Sequence, residues 1–223
     1  METGELMQDT LASTRFIDAD SPTVRAFAEA HAGDGDATSR AVNLYYALRD
    51  AIPYDMMAFG VDEERFVASN VLRAKSAFCV PKAVALAALA RAIGVPARIG
   101  FANVRNHLVS PRLQALIDGD IFYWHAYTSL FLDGRWVKAT PAFDLALCER
   151  HGVTPLDFDG REDSIFQPYD RKGRPHMEYV ELIGEFADMP LQAFAAAMRT
   201  HHGRLLADIG RDGPASGEQD QAS

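Results

Sequence analysis

Two residues in this chain are of types that do chemistry together. Cys79 stands in Ser76-Ala77-Phe78-Cys79-Val80-Pro81-Lys82-Ala83, at the mouth of an alanine-rich run that ends near Gly94. His125 stands in Tyr123-Trp124-His125-Ala126-Tyr127. The thiolate, not the thiol, is the nucleophile. A helix start favours negative charge through its free amides and partial positive potential. With Lys75 and Lys82 close in sequence, this setting predicts a lowered thiol pKa for Cys79. It also supplies a backbone amide at Cys79 or Val80, with Lys82 in support, for a developing oxyanion. Free cysteine is equally a common buried residue, so Cys79 read alone is a nucleophile or a packed thiol.

The run from Phe122 to Leu132 alternates as a strand, and Asp133-Gly134 signals a two-residue hairpin returning over Arg135 to Thr140. In that register facing residue numbers sum to 267, as for Leu132 and Arg135. His125 then shares a face with Tyr127, Thr140 and Ala142, and Thr140 is its diagonal neighbour. An acceptor at position 140 would hold the imidazole in one tautomer. Read alone, a histidine between Trp124 and Tyr127 is also an ordinary packed residue of a sheet.

The elements that must position these residues read as follows. Asp20-Ser21-Pro22 starts a helix to about His31, and Thr38 or Ser39 caps a second to about Asp50. Phe16-Ile17 suggests a short edge strand. Residues 54 to 65 are irregular. Cys79 to Ile93 is a helix with Gly94 at its left-handed end, and Pro81 is tolerated in its first turn. A strand over 96–102, a connection over 103–120 with a helical turn near 113–117, a short helix over 144–150 and a strand over 179–183 complete the core. Residues 151–178 read as a wrapping loop and Leu191 to about Ile209 as one final helix, placing His201-His202 on the surface. The expected organisation is one domain over 1–209, helical over 1–75 with the core at 76–150, and a disordered tail over 210–223.

Composition narrows the function classes. The chain has 31 acidic against 22 Lys and Arg residues, a net charge of -9, which argues against a nucleic-acid or anionic-membrane partner. Its 48% hydrophobic content supports a packed core. No apolar run has the length of a membrane span, and no signal-type segment opens the chain, so a cytoplasmic protein is expected. Two cysteines, Cys79 and Cys148, make no disulfide framework, and Cys148 reads as packed. A zinc site from Cys79, His107 and His125 lacks any supporting spacing, and Asp157 to Gly160 reads as a turn; no metal or other cofactor is expected. Asn106-His107 reads as a loop that either lines the cleft or faces solvent, and Trp124 and Trp136 as packing residues.

Two blocks carry a family resemblance. Phe78 to Ala83, with Ala90-Arg91-Ala92-Ile93-Gly94-Val95-Pro96-Ala97-Arg98, resembles the cysteine motif of the transglutaminase-like superfamily. Trp124-His125-Ala126-Tyr127, followed by Leu132-Asp133-Gly134-Arg135-Trp136-Val137, resembles its histidine segment. The resemblance implies an α+β, papain-like core in which a Cys-bearing helix packs on an antiparallel sheet carrying the His. It implies Cys79 as nucleophile, His125 as general base and acid, and an acyl-enzyme on a peptide or amide substrate. The superfamily's usual Asp falls at position 140, where this chain has Thr140. Three readings follow: Thr140 orients His125 as a neutral acceptor, Asp144 folds back to do so, or the site is inactive. The function expected is a cysteine peptidase or amidase, with amine transfer or a non-catalytic binding role as alternatives.

Overall fold

The computed structural model describes residues 8–107, 109–166, 171–174 and 176–212. The helical N-terminal part holds α1 (Pro22–His31), α2 (Ala37–Ala51) and the one-turn α3 (Ala68–Val71), joined by two 3-10 turns. The core follows as α4 (Cys79–Ala92), β1 (Ala97–Asn106), α5 (Pro111–Ile117), β2 (Ile121–Leu132), β3 (Arg135–Ala139) and α6 (Leu145–His151). β4 (Met177–Phe186), α7 (Leu191–His201) and α8 (Gly203–Asp212) close the chain. The strands form one antiparallel sheet in the order β3-β2-β1-β4. The expected α+β arrangement is therefore present, with the cysteine helix packed on the sheet that carries the histidine.

α4 is the central element. Every residue from Val80 to Arg91 is buried, the pattern of a helix surrounded on all sides. Its alanines let α1, α2, α3 and the sheet approach together. Its end is a glycine stop: Gly94 has φ +83°, and the amides of Gly94 and Val95 return to the carbonyls of Arg91 and Ala90. Arg91 then ties this end to the carbonyls of Ala12, Ala97 and Ala187.

The β2–β3 hairpin follows the expected register, with Leu132 facing Arg135 and Thr128 facing Ala139. Asp133 and Gly134 both have positive φ, as a tight hairpin turn requires. Pairing ends at Thr128–Ala139. Beyond it Thr140 donates its amide to the Ser164 carbonyl, so residues 163–165 take over beside β3.

Several local expectations are corrected. Phe16 and Ile17 are buried in a bend, not a strand, and the Phe16 carbonyl accepts from Ala68. α2 is capped by Asp36, which accepts from the Ser39 amide at 2.8 Å, not by Thr38 or Ser39. β1 runs on to Asn106, through what reads as a connection. β4 is twice the expected length because its pairing with β1 supplies what its weak pattern lacks. The final helix breaks at His202 into α7 and α8. The wrapping segment lies along α2, where Tyr45 and Arg49 donate to the Leu156 carbonyl and Phe158 packs on Tyr45. Of the expected tail, residues 213–223 lie outside the described part. Among the described residues, no helix is long and apolar enough to cross a membrane.

Candidate active site

Cys79 is the first residue of α4, after Phe78 at the cap position. Its approach is fixed by pairing of the 53–55 segment with Ala77, whose amide donates to Pro53 and whose carbonyl accepts from Asp55. α4 is bolted to β2 by Thr128, whose hydroxyl donates to the Ala83 carbonyl at 2.8 Å. The face of β2 that presents Ala126 and Thr128 is thereby held against the first turn of α4.

A narrow cavity of about 30 Å³ brings the sequence-predicted pair together. Cys79, Val80 and Tyr54 line it from one side, Trp124 and His125 from another, and Met198, His202 and Leu205 of the last two helices close it. That volume suits a single water. His125 also lines a second, smaller cavity, with Thr140, Ala142, Phe143, Leu156 and Ile165. His125 thus lines both the cavity that holds Cys79 and the cavity that holds Thr140. The Thr140 hydroxyl is buried without a partner, while its backbone is held by Tyr45 and Ser164. A separate groove of about 470 Å³, lined by Arg65, Asn70, Ser76 and Pro81, contains neither Cys79 nor His125.

The electrostatics reverse the sequence-based expectation. Burial pushes the Cys79 thiol up to about 11, although the amides of Ala126, Val80 and Cys79 itself favour the thiolate. Desolvation outweighs the helix start. Burial likewise pushes His125 down to about 4. Both shifts favour the neutral form of the group. Tyr54 belongs to the same environment: its phenol is raised by burial and by the neighbouring Cys79 and Asp55.

Two expected contributors are placed elsewhere. Lys82 does not support an oxyanion. It is fully buried and donates to the carbonyls of Arg49, Ile52 and Ala142 at 2.8, 2.6 and 2.8 Å. Burial pushes it down to about 7, yet three acceptors need the three N–H hydrogens that only the ammonium has, so we assign it as charged. Asp144 does not face His125 either. One of its oxygens accepts from Leu147, capping α6, and the other from the Tyr54 amide at 2.8 Å. Lys75 is exposed. His107 sits past the end of β1 beside Glu178 and lines neither His125 cavity. Cys148 is buried and, like Cys79, free. Among the described residues no cluster could hold a metal ion.

The residue that sequence reasoning misplaced is His202. It is buried, not on the surface, and its Nε2 accepts from the Tyr123 amide at 3.2 Å. Phe194, Met198, His202 and Leu205 all line the cavity from α7 and α8. Their spacing of four, four and three is an apolar helical stripe with a histidine inside it, and that stripe was the available signal.

No curated protein matches the chain. A solved structure of a candidate cysteine protease from Cytophaga hutchinsonii superposes with a TM-score of 0.50 at 15% identity, over 82% of this chain and 47% of that one. This chain thus spans about half of that protein, and the likeness is one of fold. The model of the transglutaminase-like superfamily matches residues 25–141, just over half of the 223 residues and including Cys79, His125 and Thr140. The chain belongs to the transglutaminase-like superfamily.

Proposed function

We propose that this protein is a thiol-dependent hydrolase that cleaves a peptide or amide bond through an acyl-enzyme on Cys79. The observation that carries the reading is the cavity lined by both Cys79 and His125, with Thr140 lining a second cavity that His125 also reaches. The Cys79 sulfur attacks the carbonyl carbon while its proton passes to His125. The resulting oxyanion meets the amides at the start of α4, Cys79 and Val80. Collapse expels the amine, which takes the proton from His125 and leaves a thioester. Water then attacks with His125 as base, releasing the acid and restoring the thiol. In the reaction the Thr140 hydroxyl, unpartnered in the resting structure, takes up the imidazole N–H and holds its orientation, a neutral counterpart of the superfamily's usual Asp. The substrate is a peptide or amide-bearing molecule.

The test uses p-nitrophenyl acetate with peptide mapping. Acetyl transfer to Cys79, lost in Cys79→Ala and slowed in both its formation and its release by His125→Ala, supports the reading. Modification of Cys148 instead, or equal rates without His125, refutes it. Faster release on adding a primary amine such as glycine ethyl ester would move the reading from hydrolysis to amine transfer. A binding role without catalysis is favoured by the narrowness of the Cys79 cavity, and complete absence of acetylation would support it.

A further inference from the structure

We infer that Asn103 is a positioning residue for His125, acting through a β-bulge that it holds in place. This inference rests on the catalytic reading of His125 given above. In the β1–β2 ladder Ala102 faces His125, but Val104 faces Phe122. Asn103 therefore stands opposite two residues, Tyr123 and Trp124, the defining count of a bulge. The second of them is strained: Trp124 has φ +58°, a left-handed conformation that large side chains rarely adopt. Such a conformation persists only where its surroundings over-determine it.

The surroundings here do so. The Trp124 amide, which has no ladder partner in the bulge, donates to Oδ1 of Asn103 at 3.1 Å. The other bulge amide, on Tyr123, donates to Nε2 of His202. The Trp124 ring packs on Phe101 and Phe194, with centroids 5.0 and 6.2 Å away. Asn103 is itself fixed: it is buried, and its Nδ2 donates to Oε2 of Glu181 on β4 at 2.8 Å. A relay thus runs from Glu181 through Asn103 to the backbone one residue before His125.

The position of the bulge gives the relay its consequence. Side chains alternate along a strand, so one extra residue reverses the facing of everything on one side of it. The bulge lets Phe122 and Tyr123 reach the α7–α8 side while His125 keeps its place in the walls of both the Cys79 cavity and the Thr140 cavity. Without an acceptor at position 103, the left-handed turn at Trp124 loses the hydrogen bond that pays for its strain, and the aim of His125 becomes variable.

The experiment compares wild type with Asn103→Ala, and with Asn103→Asp combined with Glu181→Gln. The double variant keeps an acceptor for the Trp124 amide and puts a donor at position 181. Three measurements are made: thermal unfolding, the rate of Cys79 acetylation by p-nitrophenyl acetate, and the imidazole resonances of His125 in ¹⁵N-histidine-labelled protein. Asn103→Ala is expected to remain folded, to acetylate about tenfold more slowly, and to shift or broaden the His125 resonances. The double variant is expected to recover the rate and the resonances. Unchanged resonances and rate in folded Asn103→Ala overturn the inference, as does a double variant that folds but recovers neither. If Asn103→Ala does not fold, recovery by the double variant decides the matter alone. If His125→Ala leaves acetylation unchanged, the catalytic reading fails, while the resonances still judge whether Asn103 positions the ring.

Discussion

His202 gives this fold a built-in sensitivity to acid whose size follows from its surroundings. Burial first, and the adjacent His201 second, push its pKa from the ordinary 6.5 down to about 4. The neutral ring is needed because Nε2 accepts the Tyr123 amide, and an imidazolium has no acceptor. Above pH 6.5 the folded and unfolded states both hold the ring neutral. As pH falls, the unfolded chain gains its proton first, and stability is lost until the folded pKa near 4 is reached. The difference of 2.5 units, at about 1.36 kcal/mol each, amounts to about 3 kcal/mol. His202→Gln removes the titration and keeps an acceptor for the Tyr123 amide. Urea unfolding of both proteins at intervals from pH 7.5 to 4 isolates this contribution, because every other titrating group is common to both. The two stability curves should converge toward low pH by about 3 kcal/mol, with the wild type falling faster. Curves that stay parallel across this range would refute the assignment of His202 as a buried neutral acceptor.

Other perturbations test other parts of the site. Lys82→Met leaves the carbonyls of Arg49, Ile52 and Ala142 without their donor, and urea unfolding should register a loss of about 3 kcal/mol or more. Thr140→Val deletes a hydroxyl that has no protein partner. Stability should therefore change by less than about 1 kcal/mol, while Cys79 acetylation slows on the order of tenfold if that hydroxyl orients His125. Gly100→Ala would set a Cβ 2.2 Å from the Tyr127 ring, and a melting series should show a loss of about 1–3 kcal/mol from overpacking. Since burial raises the Cys79 thiol to about 11, iodoacetamide labelling of that residue should keep accelerating through pH 9 and 10; a plateau near pH 8 would contradict an enclosed thiol.

What was legible in the sequence was local. The hairpin register followed from Asp133-Gly134 because a two-residue turn leaves one way to count, and the 267 sum holds along the observed β2–β3 ladder. Gly94 announced the end of α4 because few other residues accept its φ of +83°. The cysteine and histidine blocks were legible as a pair, and their shared cavity follows from α4 packing on β2. What stayed hidden depends on partners distant in sequence. The three acceptors of Lys82 lie 33, 30 and 60 positions away, so its spacing from Cys79 suggested a charge near the sulfur when the chain turns it inward. Asn103 reads as part of a connection until β1 is seen to continue past it. Asp144 lay on the expected side of His125 by parity, yet a carboxylate just before Leu145-Ala146-Leu147 is also a helix cap, and that role took it.

The closed site bears on how Cys79 would be activated. With the thiol raised to about 11 and the imidazole lowered to about 4, both by burial, the uncharged pair is the favoured one. A preformed ion pair would call for a carboxylate behind the histidine. A neutral pair calls for an acceptor that fixes the tautomer without charging the ring, which a threonine hydroxyl supplies. Under the proposed mechanism Thr140 and the burial of Cys79 would be two parts of one arrangement, in which the proton would leave the sulfur as the carbonyl is attacked. Thr140→Asp separates the two cases: it should raise the His125 pKa and the share of thiolate together, and a His125 titration unmoved by the new carboxylate would show that position 140 does not reach the ring.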